Sequence, residues 1–126
     1  MEKNSKQLGN WGEEKATKYL KDKGYKILSR NWRNKLGEID IICRKRKALV
    51  FVEVKTIQQA QGFFAEDEIN WKKQRQLIKM AQSYLTDNKL DLDVAHQIDI
   101  VAIEVVGQGS DDYKLSHFEN AIEDNY

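Results

Sequence analysis

The sequence of 126 residues has no proline, a single cysteine and no long apolar run. Without proline, none of its turns can be proline-directed. Cys43 has no second cysteine to pair with, which excludes a disulfide framework within the chain and a thiolate metal cluster. No apolar run approaches the roughly 20 residues that cross a bilayer, and the polar start MEKNSKQLGN does not resemble a signal peptide. These absences predict a protein of the reducing cytoplasm that does not enter a membrane.

The composition, with 40% hydrophobic and 33% charged residues, is that of a globular protein rather than a disordered one. The length predicts one domain over residues 1–126. Within it we expect residues 1–8 to be disordered and residues 107–126 to form a C-terminal extension.

Charge is unevenly distributed along the chain, although the net charge is only +1. Residues 1–86 hold 19 Lys or Arg and 10 Asp or Glu, whereas the remainder holds 2 Lys and 10 Asp or Glu. A local positive field attracts phosphate backbones, which indicates nucleic acid as a partner. Ordinary solvated surfaces would give the same pattern. The candidate phosphate contacts are Arg30, Arg33, Lys35 and Lys73.

Hydrophobic periodicity predicts six elements in the order αβββαβ. Asn10 and Glu13 have the spacing of a capping box, and Gly24 stands where a glycine commonly ends a helix. The order predicts an α/β fold with a mixed central sheet flanked by helices. The predicted elements are a helix over 10–23, strands over 25–32, 37–44 and 48–55, a helix over 67–86 and a strand over 98–106.

Charged residues at the ends of two predicted strands form the strongest functional signal. Because side chains alternate along a strand, Glu53 and Lys55 should share one face, and Glu38, Asp40 and Ile42 should share a face of the preceding strand. Charges on a half-buried sheet are unfavourable without partners. Carboxylates beside an ammonium suit Mg²⁺-dependent cleavage of phosphodiesters. The alternative is an Asp40–Lys55 or Glu53–Lys55 ion pair that closes one end of the sheet.

A third carboxylate comes from the first predicted helix. Glu13, Ala16 and Leu20 share a helix face that should pack toward the sheet. The alternative role for Glu13 is to cap the helix through the amide of Asn10. If the three carboxylates cluster without a metal, at least one of them should have a raised pKa.

Other polar and aromatic residues are predicted to be structural. Asp99, between two isoleucines, is expected to act as a structural acceptor, and neither His96 nor His117 has a partner at zinc-ligand spacing. The tryptophans expected in the core are Trp11, Trp32 and Trp71.

Three motifs occur in a fixed order, GNWGEEKATKYLKDKGYKILSRNWR, then GEIDIICR, then LVFVEVK. With them the chain resembles the YraN family of small bacterial proteins. That family is similar to archaeal Holliday-junction resolvases and belongs to the restriction-endonuclease-like PD-(D/E)XK superfamily. The resemblance extends over nearly the whole chain and implies a restriction-endonuclease-like core. It matches Asp40 to the metal-bridging aspartate, Glu53 and Lys55 to the (D/E)XK element, and Glu13 to an acidic residue of the first helix. Ile39 stands where the motif's name has proline.

The leading hypothesis is a metal-dependent endonuclease that acts on DNA, with branched or structured DNA as the implied substrate. Mg²⁺, or Mn²⁺ in its place, would be held by Asp40, Glu53, the Val54 carbonyl and, directly or through water, Glu13. Lys55 would hold the scissile phosphate or orient the attacking water. A resolvase would act as a homodimer.

Two alternatives belong to other functional classes. One is a DNA-binding accessory protein with the same fold that cleaves weakly or not at all. The other is an assembly module whose sheet edge or Phe63-Phe64 loop meets a partner subunit, which predicts oligomerisation without metal dependence.

Overall fold

The structure is a computed structural model, and it describes residues 4–58, 69–91, 93–109 and 111–122. The Phe63-Phe64 loop lies outside these ranges. Within them the chain forms two helices and five strands. In chain order these are α1 (Ser5–Asp22), β1 (Lys26–Asn34), β2 (Gly37–Lys45), β3 (Ala48–Gln58), α2 (Trp71–Asp87), β4 (His96–Val105) and β5 (Tyr113–Phe118).

The five strands form one mixed sheet in the order β1-β2-β3-β4-β5. The first three strands make an antiparallel meander, α2 connects β3 to the parallel strand β4, and β5 pairs antiparallel with β4. This arrangement confirms the predicted α/β fold and the αβββαβ order. The edge strand β5 was not predicted, because it was taken as part of a C-terminal extension. No helix in the described part of the chain is long and apolar enough to cross a membrane.

The first helix begins earlier than predicted. Asn4 is the N-cap: its side chain accepts from the Gln7 amide at 2.8 Å, and the Gln7 side chain accepts from the Asn4 amide at 3.1 Å. The predicted start at Asn10 is therefore wrong. Of the residues 1–8 predicted to be disordered, residues 1–3 lie outside the described residues and residues 5–8 belong to α1. The sequence offers two capping patterns, Asn4 with Gln7 and Asn10 with Glu13, and the upstream one is used. The predicted end is confirmed, since Gly24 follows the C-cap with φ +91°.

The second helix has Asn70 as its N-cap, with the side chain accepting from the Lys73 amide at 2.9 Å. The predicted start at residue 67 lies outside the described residues. Trp71 is the first helical residue and is 63% exposed, so its prediction as a core residue is wrong. The other two tryptophans are partly buried, and each packs against a hydrophobic cluster.

The two helices cover opposite faces of the sheet, and each closes a separate core. Along β3 the side chains alternate as predicted: Leu49 and Phe51 face α2, whereas Val50 and Val52 face α1. The core under α2 includes Ile39, Ile42, Leu77, Met80, Leu85, Ile98 and Ile100. The core under α1 includes Ala16, Leu20, Ile41, Cys43, Val101 and Ile103.

A polar network holds β4, β5 and α1 together at some distance from the charged strand ends. Asp99 is fully buried and accepts hydrogen bonds from the Gln97 side chain at 2.8 Å and the Asn120 amide at 2.9 Å. Its other oxygen contacts His117 Nε2 at 2.7 Å, and His117 Nδ1 contacts the Tyr19 hydroxyl at 3.0 Å. The prediction of Asp99 as a structural acceptor is confirmed.

Candidate functional site

The strand β2 changes faces at Asp40. Ile41 packs in the core under α1, and Ile42 packs under α2, as alternation requires. On the other side of Asp40, however, Ile39 packs under α2, although alternation from Ile41 would place it under α1. The prediction that Glu38, Asp40 and Ile42 share one face is therefore wrong.

In the neighbouring strand β1, the faces that the side chains occupy also reverse, at the residue opposite Asp40. Arg30 contacts carboxylates of α1, whereas Trp32 packs on the core under α2, two residues further along. Between them Asn31 has φ +54°, a left-handed conformation that asparagine tolerates better than most residues. Because Arg30 and Trp32 pair with the two neighbours of Asp40, Asn31 lies opposite Asp40 in the ladder. Both strands reverse their faces there together.

The carboxyl group of Asp40 replaces part of the ladder between β2 and β3. The backbone register of these strands extends from the turn to the Ile41–Val52 pair. Beyond that pair, the Val54 amide donates to Asp40 Oδ2 at 2.8 Å. In a strand the N–H and C=O of one residue point the same way. The Val54 carbonyl, a predicted metal ligand, therefore faces the same gap.

Three carboxylates meet at this gap. One oxygen each from Glu13, Glu38 and Asp40 lie within 4.8 Å of one another, and all three residues are half-buried. The prediction that Glu13 packs toward the sheet is confirmed. Its alternative role as a capping partner of Asn10 is wrong, because Asn10 lies inside α1.

Glu53 reaches the cluster from the α2 side of the sheet. Its carboxyl is close enough to Asp40 for the two to share a hydrogen bond. Lys73 of α2 contacts Glu53 Oε2 through Nζ at 3.4 Å. Lys73 was predicted to contact DNA phosphate, and the structure gives it an ion pair with a residue of the candidate site.

Burial and mutual repulsion raise the pKa of two of these carboxyl groups. For Asp40, burial and then the Glu53 carboxylate raise the pKa to about 8, against the lowering effect of the Val54 amide and Lys73. For Glu13, burial and then Asp40 raise the pKa, while Arg30 opposes the shift. The expectation that clustered carboxylates without a metal include one with a raised pKa is confirmed.

Asn31 is a member of the cluster that the sequence analysis missed. With its amide nitrogen turned toward the carboxylates, Nδ2 donates to Glu13 Oε1 at 3.0 Å and to Glu38 Oε1 at 2.6 Å. The one sequence signal was an asparagine within a predicted run of strand, where this residue is unfavourable. Glu38 was not among the predicted metal ligands, and the structure makes it one of the three convergent carboxylates.

A cleft of about 290 Å³ opens beside the cluster, between α1 and the end of β3. Lys55 is half-buried and lines this cleft together with Glu13 and Asp40. The structure thus brings Lys55 to the same cleft as two of the predicted acidic residues. The other residues that line it are Ser5, Leu8, Gly9, Val54 and Thr56.

Like Lys73, two further basic residues predicted to contact nucleic acid bind carboxylates of this chain. Arg30 lies 2.6 Å from Glu14 and 3.6 Å from Glu13, so it closes one side of the acidic cluster. Arg33 contacts Glu38 at 3.2 Å. Lys35 is exposed in the turn between β1 and β2.

A profile of the uncharacterised protein family UPF0102 matches residues 12–103. The chain belongs to this family. A UPF0102 protein of Syntrophotalea carbinolica is 38% identical over 92% of this chain and 91% of its own length. A UPF0102 protein of Alkaliphilus oremlandii is 38% identical over 94% of this chain and 99% of its own length. The UPF0102 range includes every carboxylate of the cluster and Lys55, and the family description states no activity.

Proposed function

We propose that this protein is a metal-dependent endonuclease that hydrolyses phosphodiester bonds of DNA. The observation that carries the proposal is the convergence of Glu13, Glu38 and Asp40 within 4.8 Å at the edge of a cleft that Lys55 also lines. A structural ion pair between strand ends would need one carboxylate, not several with raised pKa values.

The donor set fits a small divalent cation. Mg²⁺ binds oxygen ligands at about 2.1 Å, so two oxygens on opposite sides of the ion lie about 4.2 Å apart. One oxygen from each of the three carboxylates lies within 4.8 Å of the other two, which leaves them near enough to share one such ion. Burial and then repulsion from Glu53 raise the pKa of Asp40 to about 8, and a bound cation would oppose both effects. Asp40, Glu13 and Glu38 would hold Mg²⁺ or Mn²⁺, with the Val54 carbonyl and Glu53 as further oxygen donors.

The bound metal would supply positive charge that activates water and offsets charge on the phosphate. The other roles belong to side chains of the cleft. Lys55 would hold the scissile phosphate or orient the attacking water, since this residue lines the same cleft as Asp40 and Glu13. Arg30 and Asn31 keep Glu13 in place through contacts at 3.6 and 3.0 Å.

The likeness to the restriction-endonuclease-like PD-(D/E)XK superfamily supports this proposal. The αβββαβ order agrees with that core, and Asp40 precedes the Glu53-Val54-Lys55 element by one strand. On this basis we propose branched or structured DNA as the substrate, a symmetric homodimer as the active form and the cytoplasm as its location. The proposed dimer would cut two strands at related positions.

The decisive experiment is a cleavage assay with purified protein on linear duplex, single-stranded and four-way-junction DNA. Each substrate is tested with Mg²⁺, Mn²⁺ or EDTA. The variants are Asp40→Asn and Lys55→Ala, and Asp111→Asn serves as the matched control because this aspartate side chain is 94% exposed. We expect metal-dependent cleavage that both site variants lose and the control keeps.

Cleavage that persists in EDTA or in Asp40→Asn contradicts the proposed mechanism. DNA binding without cleavage under every metal condition would instead identify an accessory DNA-binding protein.

A further inference from the structure

A basic surface with an exposed indole lies on the solvent side of α2. Trp71, Lys72, Arg75 and Lys79 are all exposed, and their spacing places them along one side of the helix. From Lys72 to Lys79 this surface extends about 10 Å along the helix axis. An indole that is 63% exposed loses the favourable burial that most tryptophans have, which makes Trp71 a candidate binding residue.

These side chains form one side of a groove of about 630 Å³. Leu36, in the turn between β1 and β2, forms the opposite side and is 48% exposed. The Gln76 side chain donates to the Leu36 carbonyl and so fixes the turn against the helix. No carboxylate is among the described residues that line the groove, which are Leu36, Asn70, Trp71, Lys72, Lys73, Arg75, Gln76 and Lys79.

The groove is connected to the acidic cluster through one side chain. Lys73 lines the groove, and its Nζ lies 3.4 Å from Glu53, the carboxyl next to Asp40. A strand of DNA that followed the groove toward Lys73 would therefore approach the candidate metal ligands. The groove is a separate surface from the cleft that Lys55 lines.

We infer that this groove binds a single-stranded segment of DNA, with an unpaired base stacked on Trp71 and phosphates on Lys72, Arg75 and Lys79. Its purpose as part of a nuclease rests on the proposed function. Single-strand binding sites combine aromatic side chains with cations along the backbone, as this groove does. A base within a duplex is already stacked, so an indole that is 63% exposed favours unpaired nucleotides. A second copy of the same basic face would be repelled, which argues against a symmetric protein contact here.

The inference can be tested by binding measurements in EDTA, where metal-dependent cleavage cannot occur. Fluorescence anisotropy compares a labelled oligothymidylate of about 12 nucleotides with a blunt duplex of the same length, a size within the range of single-strand sites. We expect Trp71→Leu to weaken binding of the single strand roughly tenfold, the loss of one stacked base. Binding of the duplex should change less than about twofold, and Trp71→Phe, which keeps an aromatic face, should retain most of the affinity.

Lys79→Ala tests the phosphate contacts, with Lys114→Ala on β5 as the matched control. Both lysines are exposed, but only Lys79 lines the groove. We expect Lys79→Ala to reduce the slope of log affinity against log salt by about 0.7 for the single strand. Lys114→Ala should leave both the affinity and the slope unchanged. The oligonucleotide should also quench indole emission in the wild type and lose that effect in Trp71→Leu.

Equal loss of single-strand and duplex binding in Trp71→Leu, or no loss of either, overturns the inference. A change of oligomeric state in Trp71→Leu with unchanged DNA binding also overturns it, because the indole would then contact protein. If Trp71-dependent binding is found but no DNA is cleaved with any metal, the groove assignment holds and the proposed endonuclease function fails. If DNA is cleaved and Trp71→Leu binds the single strand normally, the endonuclease function holds and the groove assignment fails.

Discussion

Asp40 Oδ2 accepts a hydrogen bond from the Val54 amide at 2.8 Å, just beyond the last backbone pair between β2 and β3. The side chain thereby satisfies a donor that would otherwise lose its partner where the two strands separate. The same carboxyl group lies beside Glu13, Glu38 and Glu53. Asp40 thus joins the strands and forms the acidic cluster, so substitutions there should affect both stability and metal binding.

The raised pKa of Asp40 predicts how the stability of the metal-free protein depends on pH. Its carboxyl group ionises near pH 3.8 when unfolded and near pH 8 when folded, so the folded protein holds a proton that the unfolded chain has lost. The stability that this site contributes is full below about pH 4 and is lost as the pH rises toward 8. In EDTA, the free energy of unfolding should therefore fall across this window.

Asp40→Asn isolates this effect, because the amide oxygen can still accept from Val54 and cannot ionise. Urea unfolding should give the free energy of unfolding of both proteins at pH 5 and at pH 7. From pH 5 to pH 7, the stability of the variant relative to the wild type should increase by at least about 1 kcal/mol. The exposed Asp111→Asn is the control and should follow the wild type. Parallel pH profiles for wild type and Asp40→Asn would show that the carboxyl is not protonated in the folded state.

Divalent cations should stabilise the folded protein through the same carboxylates. A ligand that binds only the folded state raises its stability by mass action, so Mg²⁺ or Mn²⁺ should raise the melting temperature. The shift should be larger at pH 8 than at pH 6, since Asp40 must lose its proton to bind the cation. Titration calorimetry in buffers of different ionisation enthalpy should detect up to about one proton released near pH 6.5. An equal thermal shift in Asp40→Asn would place the cation elsewhere.

Asn31 has two separable contributions, a left-handed backbone and a side-chain amide that contacts Glu13 and Glu38. Asn31→Gly removes the side-chain amide but still favours the left-handed backbone. Asn31→Ala removes the amide and also disfavours the left-handed backbone. We expect the glycine variant to bind Mn²⁺ roughly tenfold more weakly, as for other residues that orient metal ligands. The pKa of Glu13 should rise further in it, because the amide contact lowers that value. Its stability should be nearly unchanged.

Asn31→Ala should show the same weakening of Mn²⁺ binding and an additional loss of about 1–2 kcal/mol of stability from the left-handed conformation. Calorimetry gives the first quantity and urea unfolding the second. If the two variants are equally stable, the left-handed backbone of Asn31 does not cause the reversal of faces in β1 and β2.

Much of this architecture follows from local sequence patterns, and the face reversal at Asp40 does not. The alternation of side chains along β3 could be predicted because Glu53 and Lys55 interrupt an otherwise apolar strand. The segment IDIIC of β2 is apolar on both faces, since both helices cover it, and a two-residue period carries no information there. The reversal coincides instead with a positive φ at Asn31, which a two-residue period does not reveal.

The misplaced elements have similarly local causes. Asn4 with Gln7 and Asn10 with Glu13 both satisfy the capping pattern, and only packing decides between them. Trp71 was predicted to lie in the core, but it is the first residue of α2 and remains exposed. The strand β5 was missed because it is only six residues long, has no fully buried residue and pairs with β4 alone.

The contact between Gly12 and Thr56 holds α1 at the distance from β3 that Glu13 needs. A methyl group on Gly12 would overlap Thr56 Oγ1, whereas Gly9, also in α1, has no atom within 4 Å of the same position. Gly12→Ala should therefore destabilise the protein by about 2 kcal/mol and weaken Mn²⁺ binding by moving Glu13. Gly9→Ala, the matched control, should stabilise by about 0.5–1 kcal/mol through helix propensity alone. Adding Thr56→Ala should recover part of the loss from Gly12→Ala, with a coupling of about 1 kcal/mol in urea unfolding. Additive effects of the two substitutions would mean that α1 and β3 are not held apart by this contact.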